Sequence, residues 1–206
     1  MKTTTIKIGA VSAVLAAALI AIQQLNELVF AEPIEITFPI WGSTVYVTQL
    51  LLIVVALVGL RLHQRHAIGR LGRVISGAAI LGCASWFGVR TVELLGEVQA
   101  GGVASDDTLP PALLATFIAS FGLFVVGLMA FAGVTWRAGV LPWQGAALIV
   151  VGIPLGLALD GVVPGILLLY GAGLAWLGIA ALGQQEAVDA LRADGTSRSA
   201  AIRRAV

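Results

Sequence analysis

Six long apolar stretches, each ended by a short polar segment, follow one another along the chain. They run approximately from Ile8 to Phe30, Val45 to Leu60, Val74 to Gly96, Ala112 to Trp136, Pro142 to Leu159 and Pro164 to Leu182. Apolar stretches of roughly 17–25 residues cross a hydrocarbon core of about 30 Å as helices. Each is apolar around most of its circumference, the pattern of a helix in lipid or buried among other helices. The pattern therefore predicts an all-α, polytopic membrane helical bundle of about six transmembrane helices. The second run is the shortest and must start close to Tyr46. "DGVVPG" joins the last two runs, with Gly161 supplying a turn and Pro164 suited to a helix start. Residues 1–183 are read as the bundle and 184–206 as a cytoplasmic tail, helical through "QEAVDALRA" and flexible after Gly195.

Composition sharpens this reading. The chain has 206 residues, 59% hydrophobic and 11% charged, with a mean hydropathy of +0.99. Soluble domains average about 25% charged residues, so lipid is the solvent for most of this chain. Placing the N-terminus inside puts Lys2, Lys7, Arg61, Arg65, Arg70, Arg73, Arg137, Arg192, Arg198, Arg203 and Arg204 in the cytoplasm and leaves only Arg90 outside. The acids show the reverse bias, with Glu27, Glu32, Glu35, Glu93, Glu97, Asp106, Asp107 and Asp160 near the outer face. Both termini are expected in the cytoplasm of a cell (inner) membrane protein. "MKTTTIKIGAVSAVLAAALIA" also has the basic start and small residues of a signal peptide, with cleavage after Ala18 as an alternative. The apolar run continues through "ALIAIQQLNELVF", long enough to span, which favours a retained helix.

Charge and amide side chains are rare in these runs, and their depth is informative. At ~1.5 Å per residue, Arg90 lies ~24 Å from Val74, roughly 6 Å short of the outer boundary. Gln23 and Gln24 stand ~22–24 Å from Ile8, and Gln49 lies ~6 Å below the outer surface when counted from Val45. Glu27, Glu93 and Asp160 lie close to the boundary itself. The strongly polar residues thus gather as a candidate cluster near the outer face: Gln23, Gln24, Glu27, Gln49, Arg90, Glu93 and Asp160. On the third helix Arg90, Glu93 and Glu97 share a face, with Trp86 one turn below Arg90. Two readings compete. In one, the cluster is a pocket with Arg90 as an anion contact and Glu27 or Asp160 as a proton or cation site. In the other, Arg90 reaches the interface and pairs with Glu93 on its own helix, and this is the favoured reading.

"RLHQRHAIGRLGR" (61–73) carries His63 and His66 at helical spacing. Without a carboxylate or cysteine nearby they make a poor metal site, and no metal or cofactor is expected. Arg61, Arg65, Arg70 and Arg73 in this loop fit anionic lipid head groups, each contributing about 1 kcal/mol near the surface. Gly9, Ala13, Ala17 and Ala21 form a small-residue ridge, Gly152 and Gly156 a GxxxG, and Gly171 and Ala175 repeat the spacing. These are helix-packing signals, with a homo-oligomer or a membrane protein partner as a further option. Phe117, Phe121, Phe124 and Phe131 make a stripe read as a packing or lipid face, and Pro154 predicts a kink in the fifth helix. "GRLGRVISGAAILG" (69–82) and "GVLPWQGAALIVVG" (139–152) echo one another at the start of two outward helices.

The single Cys83 rules out a CxxC pair and an intramolecular disulfide. No serine motif with a membrane histidine, no aspartyl-protease glycine pattern around "LALDG" and no phosphate-cradling glycine loop is present, and nothing points to nucleic acid. "LVGLRLHQRHAIGRLGRVISGAAILG", followed by "RAGVLPWQGAALIVVG", resembles small six-helix integral membrane proteins of bacteria and archaea of the domain-of-unknown-function type. That resemblance implies a helical bundle and carries over no active residues. The leading expectation is a non-catalytic accessory, scaffold or regulatory membrane protein. The alternative is a small-solute or ion transporter using the outer polar cluster, and a weaker one is a lipid-active enzyme with Asp160 or Glu27 as base.

Overall fold

A computed structural model of the chain describes residues 2–29, 39–99, 111–159 and 165–205. These residues form α1 (Lys2–Val29), α2 (Pro39–Gln64), α3 (Arg70–Gln99), α4 (Pro111–Ala138), α5 (Trp143–Leu159) and α6 (Leu168–Ala205), with no strand among them. Four of the helices are long and apolar enough to cross a membrane, over Thr3–Asn26, Gly42–Gln64, Arg70–Gly96 and Leu114–Ala138. α5 is a shorter apolar helix of 17 residues, ~26 Å long at 1.5 Å per residue. α6 begins apolar and turns polar after Leu182. The six expected spans therefore resolve into four full ones, a shorter α5 and a long α6 that is apolar only as far as Leu182.

Element ends differ from the hydropathy reading where polar residues continue a helix. α2 starts at Pro39 rather than near Tyr46, because proline is well suited to the first helical turn. Gln49 consequently lies ~15 Å along its helix, where a start at Val45 gives ~6 Å. The tail differs too. It was expected to lose its helix at Gly195, yet α6 runs unbroken to Ala205. One glycine costs a helix only about 1 kcal/mol, and although Asp194, Thr196 and Ser197 beside it are weak helix formers, Ala193, Ala200 and Ala201 on either side are strong ones. Pro154 lies inside α5 without ending it. Gly161 and Pro164, expected at a turn and a helix start, lie outside the described residues.

Each helix packs on its neighbours in the chain, and α6 closes on α1, so the bundle is a ring with an added α2–α6 contact. Its centre is filled by Leu50, Ile53 and Leu57 from α2, Leu128 and Phe131 from α4, and Leu174 from α6, all fully buried. The outer surface carries exposed large apolar residues, such as Leu15, Leu81, Ile118, Val126, Val151 and Ile179. A surface of that kind belongs against lipid.

Lipid tails are as apolar as leucine, so they give helices no hydrophobic reason to associate. Close backbone approach supplies the attraction instead. A Cβ built on Gly9 of α1 would lie 2.5 Å from the Cα of Gly59 of α2. One on Gly178 of α6 would lie 2.6 Å from the Ala10 carbonyl oxygen of α1, and one on Gly173 2.6 Å from the Gly145 carbonyl of α5. One on Gly82 of α3 would lie 2.5 Å from the Leu123 carbonyl of α4. Four of the six ring seams are therefore closed at backbone distance: α1–α2, α1–α6, α5–α6 and α3–α4. This also explains the internal echo. The last glycine of each copy sits on the following helix, Gly82 on α4 and Gly152 2.6 Å (from its added Cβ) from the Tyr170 nitrogen of α6. The two copies share a packing requirement.

Polar contacts pin one end of the ring. Lys7 of α1 pairs with Asp189 of α6 at 2.8 Å, and Gln64 Nε2 of α2 donates to Thr135 Oγ1 of α4 at 3.2 Å. His63 stands between Gln184 Oε1 at 2.7 Å and Gln185 Nε2 at 3.2 Å, while Gln184 Nε2 donates to the Val140 carbonyl. The polar part of α6 is thereby tied to α1, α2 and the α4–α5 turn. Gly59→Ala should lower stability by about 1–3 kcal/mol through overpacking. Gly122→Ala, where an added Cβ meets nothing within 4 Å, should be neutral or stabilising. Thermal unfolding of both variants in detergent, followed by circular dichroism, checks this.

Candidate functional site

At the ring's other end lies a cavity of about 260 Å³. It is enclosed by residues of five of the six elements. Residues three apart on a helix share a face, which is why Ile20, Gln23 and Gln24 come from one side of α1 and Tyr46 and Gln49 from one side of α2. Phe121 and Phe124 of α4 and Leu157 of α5 form the apolar wall. Leu167 and Tyr170 close it at the start of α6. There the chain turns at Gly165, whose φ of 83° favours glycine, and Leu168 N–H donates to the Gly165 carbonyl.

Three of the glutamines singled out by their rarity thus converge on one cavity: Gln23, Gln24 and Gln49. Gln24 and Gln49 are each only 4% exposed. Gln49 Nε2 donates to the Tyr170 hydroxyl at 3.3 Å. Its carbonyl oxygen Oε1 is buried and has no hydrogen-bond partner. A buried acceptor left unpaired costs roughly 1–3 kcal/mol, so the site has an unmet demand for a donor.

Arg90 does not line this cavity. It pairs with Glu93 on its own helix and lies over the rings of Tyr46 and Trp86, 5.1 Å and 5.9 Å from their centroids. The spacing of Arg90 and Glu93 at i and i+3 is sufficient for that pairing. Asp160 lies outside the described residues, as do the side chains of Glu27 and Glu97. The described lining is consequently uncharged: amides, phenols and hydrocarbon.

The tyrosines were missed in the sequence, where only acids, amides and Arg90 were sought. Their signal was available, since a tyrosine inside an apolar run must find a partner for its hydroxyl. Trp86 Nε1 donates to the Tyr46 hydroxyl at 3.0 Å, joining α3 to α2. The Trp86 ring meets Phe117 edge-on at 4.7 Å and Phe121 at 5.1 Å. The phenylalanine stripe of α4 is therefore a packing face around Trp86. Ser85 and Ser120 add a 3.0 Å hydroxyl contact between α3 and α4.

In the basic segment, Arg61 donates to the Arg73 carbonyl at 3.1 Å, and Arg65 Nε donates to His66 Nε2. Arg70 and Arg73 are exposed. Among the described residues no three His, Cys, Asp or Glu side chains gather as metal ligands.

No protein-family model matches the chain, and no curated protein or solved structure shows significant similarity to it. The site is read from its own geometry, within the class its fold defines, an all-helical bundle with membrane-spanning helices. Tyr46→Phe should cost about 1–3 kcal/mol by stranding the Trp86 N–H. In a double-mutant cycle with Trp86→Phe, the two losses should be strongly non-additive in thermal unfolding.

Proposed function

We propose that the chain is a non-catalytic multi-pass protein of the cell membrane, an accessory or regulatory component that acts by holding a fixed shape in the bilayer. The observation that supports this most is the locking of four ring seams at backbone distance. A bundle closed in that way resists the sliding of helices past one another and presents a constant surface to a partner. The end of the ring that carries Lys7, Arg61, Arg65, Arg70, Arg73 and Arg137 is the cytoplasmic one by the distribution of basic residues. Exposed Arg70 and Arg73 then stand at the level of anionic head groups. α5 and the apolar first part of α6 lie in the membrane with the rest, and the polar part of α6 extends beyond it.

Transport of a small solute is the second reading, favoured by one specific observation. The two seams without a backbone-close glycine, α2–α3 and α4–α5, leave the α3–α4 hairpin joined to the other four helices by side chains. The cavity lies along that junction, with Phe121 and Phe124 on the hairpin's side. Rocking of the hairpin would alter the cavity, as in carriers that move one helical unit against another.

Extraction in native lipid followed by mass determination separates the two readings. The accessory role predicts one protein partner at fixed stoichiometry. The isolated chain driving saturable solute flux in vesicles would replace it with the carrier reading. For orientation, a fluorescent protein fused to either terminus should be bright in cells, and alkaline phosphatase inserted between α3 and α4 should be active.

A further inference from the structure

The geometry points to the cavity as a binding site for an uncharged, membrane-dissolved amphiphile carrying a hydroxyl, of the phenol or alcohol class, which reaches it from the bilayer between α4 and α5. This rests on the membrane placement proposed above and goes beyond it by naming a ligand class and a route.

The polar wall sets the chemistry. Gln49 lines the cavity and its Oε1 is an acceptor with no partner, covered by its surroundings; a turn of the amide brings it to the cavity, where it selects a group that donates. The neighbouring Tyr170 hydroxyl receives a hydrogen bond from Gln49 Nε2 and keeps its own proton to give. An acceptor and a donor side by side match a hydroxyl, which donates to one and accepts from the other. An ether matches only half of the pair.

The remaining wall selects the body of the ligand. Phe121, Phe124, Ile20 and Leu167 offer rings and hydrocarbon. No charged side chain is among the described lining residues to compensate the desolvation of an ion. Arg90 lies over the ring of Tyr46, a lining residue, and is already paired with Glu93. That pairing leaves no net charge there to draw in an anionic ligand, and the described lining offers a cationic one no counter-charge. A volume of about 260 Å³ falls just below the ~300 Å³ lower bound of drug-sized pockets, which suits one ring with a short chain.

The route follows from packing. Leu157 lines the cavity and is 51% exposed, so the way in from lipid is placed at its side chain. The seam it belongs to is held by side chains. The described glycines of α5, Gly145, Gly152 and Gly156, meet α6 or Leu167, and Gly127 of α4 meets Ala79 of α3. A small side-chain movement at Leu157 opens the cavity without breaking any backbone-close contact.

The test uses the full chain purified in detergent or lipid nanodiscs, with 4-butylphenol, 4-butylanisole and 4-butylbenzoate as probes of matched shape. Saturable binding is followed by calorimetry and by the shift of the unfolding temperature. The phenol should bind and stabilise, the anisole should bind about tenfold more weakly for the loss of one hydrogen bond, and the benzoate should not bind. Gln49→Leu should bring phenol affinity down to that of the anisole, and Leu157→Trp should slow phenol association from nanodiscs. Equal binding of phenol and anisole to the unaltered chain overturns the hydroxyl assignment, and this comparison needs no variant to fold. Absence of saturable binding by all three overturns the site. Release of the chain from membranes by alkaline carbonate defeats the membrane placement instead, a result read without any ligand.

Discussion

Helices in lipid satisfy their own backbone hydrogen bonds and gain nothing by hiding apolar side chains from one another, so what holds a bundle together is how closely the backbones meet. In this protein the meeting of Gly9 with Gly59 is the clearest case, since neither position has room for a single added carbon. Similar contacts at Gly178, Gly173, Gly152 and Gly82 join α5, α6, α1 and α2 into one body and α3 with α4 into another. Dispersion falls off steeply with separation, so removing the side chain at these points increases the contact made by everything around them. The ring follows from that constraint, and so does its division into two parts.

The polar groups are distributed to suit this division. Where backbones meet, at least one helix presents glycine, and a polar contact across such a seam is made by short side chains, as by Ser85 and Ser120. Where they stand apart, larger residues fill the gap, and some carry hydrogen-bonding ends. Trp86 and Tyr46 bridge α3 and α2 in this way, and Gln64 with Thr135 bridges α2 and α4 at the opposite end. Gln49 and Tyr170 belong to the same class of contact, but the space beside them is not filled. The cavity is thus a place where wide seams converge and the side chains stop short. That is a different origin from a pocket shaped around charge, and it accounts for the neutral character of the described lining.

Much of the architecture was legible in the apolar runs, because a helix that must face lipid on one side and neighbours on the other shows little polar interruption. Helix ends were less so. Pro39, Trp41, Gly42 and Ser43 read as a loop by composition, yet a proline at the first turn carries the helix through them. The far end of α6 was obscured in the opposite sense, Gly195 being taken for a stop where one glycine does not end the helix. Within the site, Gln23, Gln24 and Gln49 stood out because amides are costly in hydrocarbon. Their convergence was not legible, since it depends on which faces α1 and α2 turn towards each other, and that is decided at Gly9 and Gly59, some 14 and 10 residues away from Gln23 and Gln49. Tyr170 was hidden for a simpler reason: a lone tyrosine in an apolar run does not disclose whether its hydroxyl faces a head group or a glutamine.

Arg90 shows how the two bodies bear on the cavity without entering it. Its charge is balanced locally by Glu93, one turn along α3, so it makes no demand on the other helices for an ion partner. Its guanidinium nevertheless covers the ring of Tyr46, whose hydroxyl is held by Trp86. Tyr46 is therefore fixed from the α3 side by a cation over its face and a donor at its tip, while its other edge forms the cavity wall. A displacement of the α3–α4 hairpin must move Arg90 and Trp86 together, and with them the restraint on Tyr46. Because Phe121 and Phe124 travel on the same hairpin, one rigid-body motion changes the polar and the apolar walls at once. The residue that departs from the orientation pattern of the basic side chains thus acts on the site through position, as a clamp on one wall, and its charge is neutralised before it reaches the cavity.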